Sequence, residues 1–278
     1  VPGNNLWDAT QMAANFAFRT LTYQGFTKDT IWYLSSNTDL DLDDNGVADD
    51  VDGDATNSNL ENAITSWAAD AENLVALLTP VVKAFFTDLG MSSTLSAQQV
   101  YGGHGYIREH GMEQLVRDAR IGQIYEGTNE VQALDLVARK LTGKTGEFAD
   151  RFLANQRQFL IEHSDNEDVS DYVAPAAEAL DRLISATAWV RDKLDNDNAA
   201  ARGAATHYLR LFALTIIACL WAQIMIAVRD KPGEFYDVKR KVARFYMQQV
   251  LPETAALADV ITRGDAALGE FSVADFKD

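Results

Sequence analysis

From Leu60 onward, apolar residues recur at intervals of three and four: Leu60, Ile64, Trp67, Ala71, Leu74, Leu78, Val82, Phe85 and Leu89. That is one face of a long amphipathic helix, with a kink expected near Thr79, before Pro80, and an end at Gly90. Upstream, Leu6 to Leu34 carries Met12, Phe16, Phe18, Leu21, Tyr23, Phe26 and Ile31 at similar spacing, which predicts one long helix or two with a break at 27–29. Between these stretches, Asn37 to Asn59 abandons the pattern and places Asp at 39, 41, 43, 44, 49, 50, 52 and 54. With almost nothing to bury, it reads as a surface loop.

Downstream, Ser92 to Val100 suits a short helix before Gly102, Gly103 and Gly105 break the pattern, and Gly111 to Ile124 is less regular. Val131, Leu134, Val137, Ala138 and Leu141 give another helix that stops at Gly143. Four longer helical stretches follow: Phe148 to Ile161, Tyr172 to Leu194, Ala200 to Val228 and Phe235 to Ile261. The expected fold class is all-α, with a first helical domain over 1–145, carrying the acidic loop 37–59, and a second helical bundle over 146–278.

Composition narrows the picture. In 278 residues, 47% hydrophobic, with only 5 Pro and 17 Gly, neither disorder nor an all-β sandwich is expected. A formal charge of -17 disfavours nucleic acid and anionic lipid as partners. Leu211 to Val228 holds no charged residue, yet it is short for a membrane span and contains Thr215 and Gln223, so a buried bundle helix is the reading adopted. The lone cysteine, Cys219, excludes internal disulfides and suits a reducing cytoplasm. The chain opens at Val1 with no basic stretch leading into an apolar core, so no signal peptide is expected and the chain reads as a piece of a longer protein.

Two features carry candidate chemistry. In the acidic loop, Asp41, Asp43, Asn45, Asp49 and Asp52 fall at positions 1, 3, 5, 9 and 12 of a calcium loop with Gly46 at 6, although position 12 lacks the usual Glu. The loop is either a calcium site or a solvated acidic segment. The second feature is a glycine loop followed by an Arg-Asp pair and a glutamate between Tyr125 and Gly127. His pairs at i, i+4 and nucleophile-elbow, P-loop and dinucleotide fingerprints are all absent from the sequence.

Two motifs make this second feature specific: Gln99-Val-Tyr-Gly-Gly-His-Gly-Tyr106 and Arg117-Asp-Ala-Arg-Ile-Gly-Gln-Ile-Tyr-Glu-Gly-Thr-Asn-Glu130. In order and separation they resemble the C-terminal helical domain of acyl-CoA dehydrogenases, over roughly residues 5–142. The later helices are similar to the additional C-terminal domain of a subfamily that includes 3-methylmercaptopropionyl-CoA dehydrogenases. The resemblance implies FAD-dependent α,β-desaturation of an acyl-CoA thioester, with Glu126 as the base that removes the α-proton and hydride passing to the flavin. It places Tyr125 and Gly127 beside the substrate. Thr128 and Glu130 would contact FAD within the same subunit, and Gln99, Gly102 and Gly103 the FAD of a neighbouring subunit, which implies a homodimer or larger homo-oligomer. It also implies an electron-transfer flavoprotein as electron acceptor. The family's N-terminal helical and middle β-domains have no counterpart in these residues, so the isolated piece is expected to be inactive.

A weakly basic carboxylate acting on a carbon acid calls for desolvation, so a buried Glu126 is expected. Arg117 and Asp118 are expected to form an ion pair that orders the approach to Glu126. The alternative function is a non-catalytic helical dimerisation module, in which Glu126 is a helix-start carboxylate.

Overall fold

Two helices grow from the stripe that begins at Leu60: the short α1 (Asn57–Asn62) and the 33-residue α2 (Ala68–Val100). The structure, a computed structural model, describes residues 15–20, 22, 31, 33–35, 37, 39–42, 46–54, 56–62, 65, 68–264 and 270–276. Contrary to the sequence expectation, α2 does not end at Gly90. A lone helical glycine costs only about 1 kcal/mol, and burial of Leu77, Val81, Ala84 and Phe85 outweighs it. The helix also runs through Pro80, and Ser92 to Val100 is its last part, not a separate helix.

The glycine run that follows makes a single turn, α3 (Gly103–Tyr106), then a 3-10 turn at Arg108–His110. Where an irregular stretch was expected, α4 (Met112–Ile121) forms. Next comes α5 (Asn129–Asp135), which continues as a π-helical turn, Leu136–Lys140, and buries Ala133, Leu136 and Val137. Gly143, expected only as a stop, takes φ 57° and opens the next helix, α6 (Gly143–Glu162). The remaining helices are α7 (Ser170–Asn196), α8 (Asn198–Gly203), α9 (Ala205–Val228), α10 (Glu234–Phe245), which continues as a π-helical turn over Tyr246–Val250, and α11 (Glu253–Arg263). The fold is all-α; among the described residues the β pairing is one isolated parallel bridge, Leu34 with Gly53.

Val1–Asn73 and Leu74–Asp278 each form a compact unit. In the first, helical backbone at 15–20 and 22 is what is described of the predicted N-terminal helix, and Leu34, at its expected end, is in the bridge instead. In the second, α9 packs on α5, α7 and α11, and α7 also on α6. Residue 145 lies inside this unit, in the first turn of α6. The uncharged run in α9 is therefore a core helix, with Leu211, Phe212, Leu214, Ala218, Cys219 and Ala222 at most 1% exposed. Burial pushes the Cys219 thiol up to about 12.

One buried polar pair tests this packing. Thr187 on α7 donates its hydroxyl proton to the Leu183 carbonyl at 2.7 Å, so the fully buried Tyr208 hydroxyl on α9, 2.8 Å away, is the donor to Thr187. Tyr208→Phe removes one satisfied bond and is expected to cost about 1 kcal/mol. Thr187→Val strands the phenol and is expected to cost more, about 2 kcal/mol. Urea midpoints at constant m-value order the two variants.

Candidate active site

After α4 the chain must reverse within a few residues to start α5. It does so through two consecutive left-handed residues, Glu126 at φ 53° and Gly127 at φ 84°. Among the described residues Glu126 is the one non-glycine with positive φ. That conformation costs an L-residue about 1 kcal/mol or more and persists only where the surroundings enforce it.

The surroundings here are polar side chains on α2. Lys83 donates from Nζ to the Gly127 carbonyl at 2.6 Å and to Asn129 Oδ1 at 2.7 Å. Asn129, only 8% exposed, donates from Nδ2 to the Ala84 carbonyl at 3.1 Å, Thr87 Oγ1 at 3.0 Å and Asp88 Oδ1 at 2.6 Å. Gln123 donates to the same Asp88 oxygen at 2.6 Å, tying down the other end of the turn. Within the turn, Gln132 Nε2 donates to the Glu126 carbonyl at 3.0 Å, and a Cβ on Gly127 would stand 3.1 Å from that amide nitrogen. All of these anchors hold backbone atoms or side chains other than the Glu126 carboxylate, which has no hydrogen bond among the described residues.

Thr128 caps α5, its Oγ1 accepting from Val131 N at 3.4 Å. Glu130 is held below the usual carboxylate range by its own backbone N–H, then by the Thr128 hydroxyl, with smaller help from Arg120 and Lys83. It is exposed in the first turn of α5.

Burial of Glu126 is not found. The side chain is exposed, as are Tyr125 and Gly127. The apolar residues flanking it in sequence are exposed too: Ile121 56%, Ile124 47%, Tyr125 52% and Val131 53%. The chain supplies the turn but not the desolvation. Arg117 and Asp118 do not pair either; Arg117 bonds Glu113, one turn earlier on α4, at 2.9 Å. Consecutive helical residues point about 100° apart, whereas i, i+4 neighbours share a face.

The glycine loop is a separate place. Gln99 lies at the exposed end of α2, and its carbonyl accepts from Gly102 N at 3.0 Å. Gly102, at φ 58°, and Gly103 are exposed, with nothing within 4 Å of an added Cβ. Gly105 is different: it is buried, and a Cβ there would meet the Gln98 carbonyl at 2.5 Å. Gln98 Nε2 donates to the Gly105 carbonyl at 3.1 Å and closes the turn onto α2. The sixteen helical steps from Lys83 to Gln99 span about 24 Å, so Gln99, Gly102 and Gly103 are not brought together with Glu126, Thr128 and Glu130. The bare backbone at Gly102 and Gly103 leaves room for a flat or anionic nucleotide to approach closely, so these residues fit a flavin dinucleotide.

The calcium reading gains no support. Asp43 and Asn45 lie outside the described residues. Asp41 accepts from Gly46 N at 2.8 Å and Asp52 from Tyr33 N at 2.6 Å, while the buried Asp50 accepts from Leu42 N. Among the described residues, His, Cys, Asp and Glu do not gather in threes as a metal site would need.

The sequence reading missed Lys83, Thr87, Asp88 and Asn129. The available signal was a polar i, i+4 pair, Lys83 and Thr87, with Asp88 beside it, in an otherwise apolar stretch of α2.

Comparison with known proteins adds two family matches. Residues 50–142 match the family described as acyl-CoA dehydrogenase, C-terminal domain, and residues 131–272 the one described as acetyl-CoA dehydrogenase C-terminal like. The chain is 32% identical to a 3-methylmercaptopropionyl-CoA dehydrogenase of Ruegeria pomeroyi over 214 residues, 72% of this chain and 35% of that protein. It is 29% identical to a butyryl-CoA dehydrogenase of Syntrophomonas wolfei over 65% of this chain and 31% of that protein. A broad-specificity linear acyl-CoA dehydrogenase of Mycobacterium tuberculosis is 26% identical over 72% and 35%, respectively. The chain thus spans about a third of the length of these curated relatives.

Proposed function

Because the chain belongs to the acyl-CoA dehydrogenase family through its C-terminal helical domains, we propose that it forms the C-terminal part of an FAD-dependent acyl-CoA dehydrogenase and supplies its catalytic base. Bound FAD supplies the hydride acceptor. Glu126 takes the α-proton of the acyl thioester; the α C–H electron pair becomes the π bond of a 2-enoyl-CoA as hydride leaves the β-carbon. Gly127, with no side chain, lets substrate and backbone approach, and Tyr125 lines the same side. Thr128 and Glu130 hold the nucleotide of the same subunit, and Gln99, Gly102 and Gly103 that of a neighbouring subunit, about 24 Å along α2, so the working unit is at least a homodimer. Glu126 is desolvated when substrate and the family's other domains cover Tyr125 and its apolar neighbours. An electron-transfer flavoprotein would be the electron acceptor, in a reducing cytoplasm where the lone buried Cys219 stays a thiol.

The observation that carries this reading is the left-handed Glu126–Gly127 turn, anchored by Lys83 and Asn129 so that the carboxylate itself stays uncommitted. The test is anaerobic mixing of the purified full-length protein with a panel of acyl-CoA thioesters while flavin absorbance is followed. A yellow protein bleached by acyl-CoA supports the dehydrogenase. A colourless protein that still dimerises makes this bundle an assembly module. The 278-residue chain alone is expected to show no dehydrogenation.

A further inference from the structure

The helix α10 leaves an ordered apolar stripe uncovered on the surface of its unit. Phe235 is 67% exposed, Val238 48%, Val242 44% and Phe245 61%. At 100° per residue these four side chains fall within an arc of about 80°, well away from the face that carries buried Ala243.

The stripe is also a palindrome. Its intervals are three, four and three, and it reads Phe-Val-Val-Phe in both directions. Two such helices laid antiparallel place Phe235 opposite the partner's Phe245 and Val238 opposite the partner's Val242, with a two-fold axis passing near position 240. In heptad terms Phe235 and Val242 are a positions and Val238 and Phe245 d positions, so Glu234 and Lys241 occupy the flanking g positions. In an antiparallel pair g faces g, which sets Glu234 of one protomer against the partner's Lys241, twice by symmetry. Neither side chain has a partner within the chain among the described residues. Asp237, on the same outer flank, is already taken by Arg240 at 2.8 Å. A parallel pairing would instead set Glu234, at g, against the partner's Lys239, at e, a side chain that already lies over the Phe235 ring, 5.3 Å from its centroid.

We propose that α10 is a self-association surface on which two copies of this chain pair antiparallel through Phe235, Val238, Val242 and Phe245, with register fixed by reciprocal Glu234–Lys241 ion pairs. A second copy suits the stripe better than an anionic membrane, because the chain carries a net charge of -17. The contact is separate from the subunit contact that the dehydrogenase reading implies and needs neither flavin nor acyl-CoA. A 12-residue helix is about 18 Å long, and pairing two of them buries less than the roughly 1,200 Å² of a standard stable interface. The association is therefore weak, and it doubles whatever oligomer the rest of the protein makes.

Sedimentation equilibrium of the purified full-length protein over a concentration series tests the proposal, with circular dichroism confirming helicity of each variant. Val242→Glu is expected to weaken association at least about tenfold. Glu234→Lys and Lys241→Glu alone are each expected to weaken it about threefold, and the double exchange E234K/K241E to restore it to within about twofold of the parent. A double exchange as weak as the single variants, or Val242→Glu without effect, overturns the proposal. Flotation with phosphatidylglycerol vesicles supplies the remaining arm: binding that Val242→Glu abolishes while the oligomeric state stays constant overturns it in favour of a lipid surface.

Discussion

Replacing Glu126 by Gln in the flavin-loaded full-length protein is expected to slow acyl-CoA bleaching of the flavin by about 10³-fold while leaving flavin bound. The amide has the shape of the carboxylate but accepts no proton at neutral pH. What makes the substitution clean is the way the turn is held. Lys83 bonds the Gly127 carbonyl and Gln132 bonds the Glu126 carbonyl, so the anchors survive loss of the carboxylate. Among the described residues the carboxylate takes part in no hydrogen bond or ion pair, and the side chain is exposed, so the variant's unfolding midpoint is expected to match the parent's. Stopped-flow absorbance under anaerobic conditions measures the rate, and the retained flavin spectrum shows that binding is intact. A rate within tenfold of the parent would remove Glu126 as the base and return the turn to a purely structural role.

Much of the all-helical fold was legible because burial imposes a period. From α6 to α11 the apolar spacing located four helical stretches, of which Ala200 to Val228 divides into α8 and α9 and Phe235 to Ile261 into α10 and α11, with Tyr208, Phe212 and Leu183 fully buried inside them. The errors fell where a local residue was given more authority than its free energy allows. Gly90 looks like a stop, but a penalty of about 1 kcal/mol cannot end a 33-residue helix packed through Leu77 and Phe85. The preceding helical run does stop before Gly143, closing at Lys140, but the same left-handed glycine also opens the next helix, whose start the apolar spacing places only at Phe148. Arg117 and Asp118 are adjacent in sequence, and neighbouring helical residues do not face each other.

The candidate site was legible in a different way. Motif order pointed to Glu126, Thr128 and the glycine loop, but periodicity says nothing about which polar side chain turns inward. Lys83 and Asp88 are unremarkable charges on a helix until Asn129, 41 to 46 positions later, reaches back to them. Exposure of Glu126 could not be read at all, since desolvation is a property of whatever covers the turn and not of the turn's own sequence.

That long-range anchor yields the prediction with the largest expected effect on stability. Asn129→Ala is expected to cost about 2–4 kcal/mol and to lower flavin reduction together with it. The cost comes from the groups left behind. Asp88 keeps only Gln123 from its two side-chain amide donors, Thr87 loses its partner across the turn, and the Ala84 carbonyl loses a donor near the core. Asn129→Asp does not rescue it, because a second carboxylate would face Asp88 Oδ1 at the 2.6 Å where a donor now sits, and only the Lys83 contact gains. Lys83→Met removes the direct hold on the Gly127 carbonyl, so combining it with Asn129→Ala is expected to cost about 1 kcal/mol less than the sum of the two, as residues sharing one bond must. Urea denaturation gives the stability terms and stopped-flow absorbance the rates. If Asn129→Ala stays within about 0.5 kcal/mol of the parent, the α2 anchor does not hold the turn, and the left-handed conformation of Glu126 needs another cause.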